Sequence, residues 1–203
     1  MGTITRRSTR SRSKSFGIRR GPRRFYRSEE RDMSETPGHE RQEVVFAGKR
    51  IRQFSTLSFD EVLAKLRARV GEATIAGVVG LPGTREEFET RMEEYAGDSG
   101  FMLFSQIDHG AWIEKYGIKR RLVRWILGNP LIAITMLQHD YTAGLFVPIE
   151  LLLAENDGGA GCNIVYVLPS SLIATDAANS RLAAAAMALD AKLEALVASA
   201  VAA

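Results

Sequence analysis

Hydrophobic and polar positions change rhythm several times along this 203-residue chain. The first forty or so residues offer almost nothing apolar to bury. From Glu43 onward Val44-Val45-Phe46 and Ile51–Leu57 read as extended segments, the second with a two-residue alternation. Ser58-Phe59-Asp60-Glu61 is a capping box, in which a Ser and a Glu three residues apart satisfy free amides at a helix start. Phe59, Val62, Leu63, Leu66 and Val70 follow at helical spacing, and Gly71 reads as the stop. A glycine-rich loop from Gly77 to Gly83 leads to a second capping box, Thr84 to Glu87, and a helix striped by Phe88, Met92 and Tyr95.

Gly100–Ile107 reads as a strand running into Asp108-His109 and a short helix with Trp112, Ile113 and Tyr116. Leu122–Leu127 is the next strand, with Val123, Trp125 and Leu127 on one face. Asn129 followed by Pro130 marks the start of a short helix, Leu131–Leu137. Leu145–Glu155 and Cys162–Leu168 form a hairpin around Asn156-Asp157-Gly158-Gly159, with Pro148 pointing to an edge or a bulge. Ala177–Ala203 is a long Ala-rich helix whose stripe is Leu182, Leu189, Leu193, Leu196 and Val197. It needs a surface to cover, the sheet first and a second subunit with any surplus. The expected fold is α+β: one curved, mostly antiparallel sheet of four to five strands, helices on one face, and the long helix at the end.

Charge divides the chain. Residues 1–28 carry ten Arg or Lys and no acid, so the rest holds 17 basic and 24 acidic side chains despite an overall net charge of +3. This excludes reading the folded body as a basic nucleic-acid binder. Residues 1–42 are therefore a basic arm expected to be disordered, and 43–203 a single domain. The arm has four readings: a solvated tail, a stretch upstream of a true start at Met33, a polyanion-binding segment over residues 6–27 with Phe16, Phe25 and Tyr26 to stack on bases, or an Arg- and Ser-rich targeting peptide. The lone Cys162 excludes an internal disulfide and suits a reducing, cytoplasmic setting. No membrane span is expected: the charge-free stretch Trp125–Gln138 is broken by Gly128-Asn129-Pro130 and is shorter than the ~20 residues a span requires.

Several segments together resemble a known family. Phe59-Asp60-Glu61-Val62, Ile107-Asp108-His109-Gly110-Ala111, Leu127-Gly128-Asn129-Pro130, Met136–His139, and Phe146-Val147-Pro148-Ile149 followed by Leu151-Leu152-Leu153 resemble the domain-of-unknown-function family numbered 302, or DUF302. The resemblance covers Ile51–Val201, and the helical segment 84–96 is similar to the longer variant of the family. It implies a small α+β domain with one antiparallel sheet that pairs as a homodimer. It implies no settled activity, substrate or cofactor.

Candidate chemistry is sparse. Asp108-His109 and His139-Asp140 could together hold a divalent metal such as zinc, or supply a His–carboxylate acid–base pair from Asp108, His109 and His139. The plainer reading makes Asp108 the cap of the Trp112 helix and His139 the end of its own. Trp112, Trp125, Met136 and Phe146, with Phe101 and Phe104 nearby, could line an apolar pocket, although aromatics at such positions are more often core. Tyr166, Arg124 and Lys119-Arg120-Arg121 read as solvated surface. Gly77-Val78-Val79-Gly80 lacks the Lys of a phosphate loop, and there is no nucleophile elbow or HExxH motif. No cofactor is expected. A small-ligand binding module is favoured, with a hydrolase-type or metal-assisted enzyme and a non-catalytic dimerising scaffold as alternatives.

Overall fold

The computed structural model describes residues 41–202. The expectations placed on the basic arm, except for its last two residues, and on a start at Met33 lie outside them. From Val44 the described chain packs as one unit.

The two capping boxes form as read. At the head of α1 (Phe59–Arg67), Glu61 N–H donates to Ser58 Oγ at 3.3 Å while Ser58 N–H donates to Glu61 Oε2 at 2.8 Å. Thr84 and Glu87 do the same for α3 (Arg85–Tyr95). Between them lie two elements not expected from the sequence. A two-residue strand β2 (Gly71–Glu72) precedes the stretch read as loop, and a short helix α2 (Ile75–Val79), capped by Thr74, runs into its start at Gly77.

The remaining elements are β1 (Arg50–Ser55), β3 (Met102–Asp108), α4 (His109–Ile113), β4 (Leu122–Gly128), α5 (Pro130–Leu137), β5 (Ile149–Glu155), β6 (Cys162–Val167), α6 (Ser170–Ile173) and α7 (Ser180–Val201). They build one sheet of six strands in the order β1-β6-β5-β4-β3-β2. Every pairing is antiparallel except β2 with β3. The sheet is therefore mixed and one strand larger than the widest expectation: α1 ends at Arg67 with Ala68 as its cap, and Gly71, read as the helix stop, instead opens β2.

Three boundaries also move. Val44–Phe46 is irregular, with the Phe46 ring edge-on to Phe146 at 5.7 Å. The expected strand from Leu145 begins at Ile149, because Tyr141–Leu145 coils into a 3₁₀ turn and the cis-peptide residue Pro148 stands just outside β5. Pro148 is thus neither on an edge strand nor at a bulge; the irregularity in register falls at Leu103/Ser105 in β3. The long helix starts at Ser180, where Asn179 Oδ1 accepts from Leu182 N–H at 3.1 Å.

One face of the sheet carries the core. Val123, Trp125 and Leu127 from β4, Leu151 and Leu153 from β5 and Ile164 from β6 meet Val62 and Leu66 of α1 and Leu189, Leu193 and Leu196 of α7. Tyr166, expected at the surface, is buried here, because it points the same way as Ile164 on the alternating strand. Buried positions run from Leu182 to Ala200, so this one core uses almost the full length of the α7 stripe. A smaller cluster of Val78, Met92 and Met102 anchors α2 and α3. Among the described residues, no helix is long and apolar enough to cross a membrane.

Cys162 lies in this core with its thiol 3.7 Å from Leu57 O, and burial pushes its pKa up. A raised thiol pKa leaves less thiolate at any given pH, and only thiolate attacks a disulfide. The folded protein should therefore react with an aromatic disulfide reagent at least about a hundredfold more slowly than the urea-unfolded chain. Equal rates, followed by absorbance, would place the thiol at the surface.

Candidate binding groove on the open sheet face

Strand alternation sends every second residue to the face away from α1 and α7. The pairing register assembles these residues into rows across the sheet. Arg52, Val165, Leu152, Arg124 and Ile107 form one row; Arg50, Val167, Glu150, Ile126 and Ser105 form the next. This face is apolar at its centre, and among the described residues no long helix lies over it. Trp112 and Ile113 of α4 border it at the Leu122 end, and Phe146 and Leu172 at the Arg50 end. The hollow they enclose is about 680 Å³, within the few hundred to one thousand Å³ usual for small-molecule sites.

The polar groups of the groove have distinct states. Arg124 and Glu150 are paired with each other, and Arg124, read from the sequence as solvated surface, is half-buried. Arg50 makes no ion pair among the described residues. Trp112 Nε1–H donates to His109 Nδ1 at 3.1 Å, with the rings edge-on. A neutral imidazole accepting at Nδ1 carries its proton on Nε2, so His109 offers a donor there.

The expected pocket residues separate into two sets. Trp112, 49% exposed, and Phe146, half-buried, border the open-face groove; Trp125, 1% exposed, and Met136, fully buried, belong to the core on the opposite side. Trp125 and Met136 are therefore not pocket lining: both lie inward, Trp125 by the alternation of β4 and Met136 on the inner side of α5. Phe101 is core as well. Phe104 lines a second hollow of about 1040 Å³ between α2, α3 and α5.

The two His–Asp pairs stand apart. Asp108-His109 opens α4 next to the Leu122 end of β4, whereas His139-Asp140 follows α5, the helix that leaves the Gly128 end of that strand. Each carboxylate is in use locally. Asp108 Oδ1 accepts from Ala111 N–H at 3.0 Å, the cap anticipated from the sequence. Asp140 Oδ1 accepts from Thr142 N–H at 2.8 Å and Thr142 Oγ1 at 2.7 Å, and these bonds hold its carboxyl below the usual range. His139 contributes its backbone carbonyl to Asn179 Nδ2. Among the described residues, no three His, Cys, Asp or Glu side chains gather as a metal site.

The basic run 119–121 is largely engaged. Arg121 grips Asp60 with two hydrogen bonds of 2.6 and 2.5 Å, which lowers the Asp60 pKa, and Arg120 pairs with Asp157.

Reading from sequence missed Arg50, Leu122, Leu152, Val165, Val167 and Leu172. The signal for half of them was present: Leu151-Leu152-Leu153 and Ile164-Val165-Tyr166-Val167 are apolar at both strand phases, the pattern of strands with two covered faces.

Comparison with known proteins adds the family and the fold. A crystal structure of an uncharacterized conserved DUF302 protein from Bacillus stearothermophilus matches with a TM-score of 0.51 and 17% identity, over 74% of this chain and 96% of that one. No curated protein matches the chain. The family model described as domain of unknown function DUF302 matches residues 78–200, well over half the chain, so the protein belongs to that family.

Proposed function

We propose that the protein is a small-molecule binding module whose ligand lies in the open-face groove. The observation that carries this reading is an apolar hollow of about 680 Å³ on the sheet face opposite the core, bordered by half-exposed Trp112 and by Phe146. Burying the half-covered side chains of Leu152, Val165 and Val167 under a ligand yields about 25 cal/mol for each Å² of apolar surface removed from water. An enzyme is less well supported, because Asp108 and Asp140 are occupied as caps and, among the described residues, the two His–Asp pairs do not gather into one cluster. Pairing of two chains through this face is the second reading, favoured by the same apolar rows. A single buried thiol suits a cytoplasmic location.

The test uses the full chain and the neutral dye N-phenyl-naphthylamine, whose fluorescence rises in apolar surroundings. Saturable binding is expected, weakened by about tenfold or more in Leu152→Glu, which places a charge in the groove without entering the core. Ile134→Glu, beside the second hollow, should leave the affinity unchanged. If Ile134→Glu abolishes binding and Leu152→Glu does not, the ligand site is the hollow between α2, α3 and α5. Native mass spectrometry of the same samples reports the subunit number; dimers lost in Leu152→Glu would support the second reading.

A further inference from the structure

We infer that the groove selects an elongated amphiphile with a carboxylate head, held at Arg50. This rests on the groove being a ligand site and specifies the ligand's charge and shape. The sign of the head follows from the polar groups already described. The one carboxylate in the lining, Glu150, is neutralised by Arg124. The groups left over are the Arg50 guanidinium, without an ion pair among the described residues, and the His109 Nε2–H fixed by the Trp112 bond. Both donate; neither can accept. An ammonium head would find no acceptor without breaking the Arg124–Glu150 pair, whereas a carboxylate would gain charge-assisted hydrogen bonds from Arg50.

The shape follows from the register. Arg50 lies opposite Val167, and Val167 is in the same row as Glu150, so Arg50 stands at the Phe146 and Leu172 end of the groove. Leu122 lies opposite Ala154, next to the Trp112 end. Glu150 to Ala154 is four residues of strand, or about 14 Å. Val165, Leu152 and Leu122 give the space between an apolar lining, beside the mutually neutralised Arg124 and Glu150. A head at Arg50 therefore directs an apolar tail along β5 and β4 towards Trp112. The remainder of the chain after residue 28 carries an excess of acid, 24 against 17 basic side chains, so local placement of Arg50 works against the general charge of the domain.

The test is displacement of N-phenyl-naphthylamine from the full chain by dodecanoate, dodecanol and dodecylamine, all below their micelle-forming concentrations. Dodecanoate should displace the dye at a concentration about tenfold below dodecanol, and dodecylamine should be the weakest. In Arg50→Gln the ratio between dodecanoate and dodecanol should fall to about one, and Arg50→Lys should restore part of it. Equal displacement by the three heads, or a carboxylate preference that survives Arg50→Gln, overturns the assignment of the head and leaves the groove standing. Dye binding that is absent, or insensitive to Leu152→Glu, overturns the groove and the head together.

Discussion

Trp125→Ala should lower the unfolding free energy by about 3–5 kcal/mol, a large share of the roughly 5–15 kcal/mol available to a domain of this kind. Trp125 sits in the middle of β4, a strand paired on both sides, and is 1% exposed. Its ring fills the space below α1, and the Arg67 guanidinium lies over it at 5.5 Å. Its indole N–H donates to Gln106 Oε1 at 3.0 Å. Alanine would leave a cavity walled by β-sheet backbone that cannot collapse into it, and would remove one donor from Gln106. Gln106 keeps its bond from Arg67, so the polar loss is the smaller part and the cavity dominates. Urea unfolding followed by circular dichroism measures the change. A loss under about 1 kcal/mol would mean that Trp125 is not central to the core, and would reopen its reading as pocket lining.

That contrast with Trp112 marks how far the fold and the site can be read from sequence. Local signals were legible because their physics is local. Ser58 with Glu61, Thr84 with Glu87, Asn129 with Pro130 and Asp108 before Ala111 each close hydrogen bonds within a few residues, and each forms as read. Boundaries set by packing were less legible. Leu145–Pro148 is apolar enough for a strand but coils before β5, and Val44–Phe46 packs Phe46 on Phe146 without joining the sheet. The site depends on pairs distant in the chain. Arg50 meets Val167 across β1 and β6, and nothing near either residue announces the other. The same topology separates Asp108-His109 from His139-Asp140, which composition alone would let meet. Trp112 and Trp125 look alike in sequence; strand alternation sends one inward, and a helix at the sheet end leaves the other beside the groove.

Gly71→Ala should destabilise the fold by about 1–3 kcal/mol or more, although the sequence presents this glycine merely as a helix stop. A Cβ added at Gly71 would lie 1.8 Å from Tyr95 O, 2.8 Å from Tyr95 C and 2.9 Å from Gly97 N. All three are backbone atoms, so no side chain can swing aside. Gly97 faces the same contact from the other side, where a Cβ would come within 2.5 Å of Arg69 O and Gly71 N. The two glycines let the end of α1 and the end of α3 approach until both amides reach one acceptor: Gly71 N–H and Gly97 N–H donate to Phe101 O at 2.9 and 3.1 Å. Forcing them apart should cost β2 its pairing with β3 and loosen α3. Gly117→Ala is the control, because a Cβ there meets nothing within 4 Å and its left-handed φ of +78° costs only about 1–2 kcal/mol of backbone strain. Hydrogen exchange should separate the two cases. In Gly71→Ala the amides of Gly71, Ala73 and Gly97, which donate to Phe101 O or Leu103 O, should exchange faster than those of β4 and β5; in Gly117→Ala they should stay protected. Protection at those three amides that survives Gly71→Ala would mean that the backbones at the ends of α1 and α3 are not in direct contact.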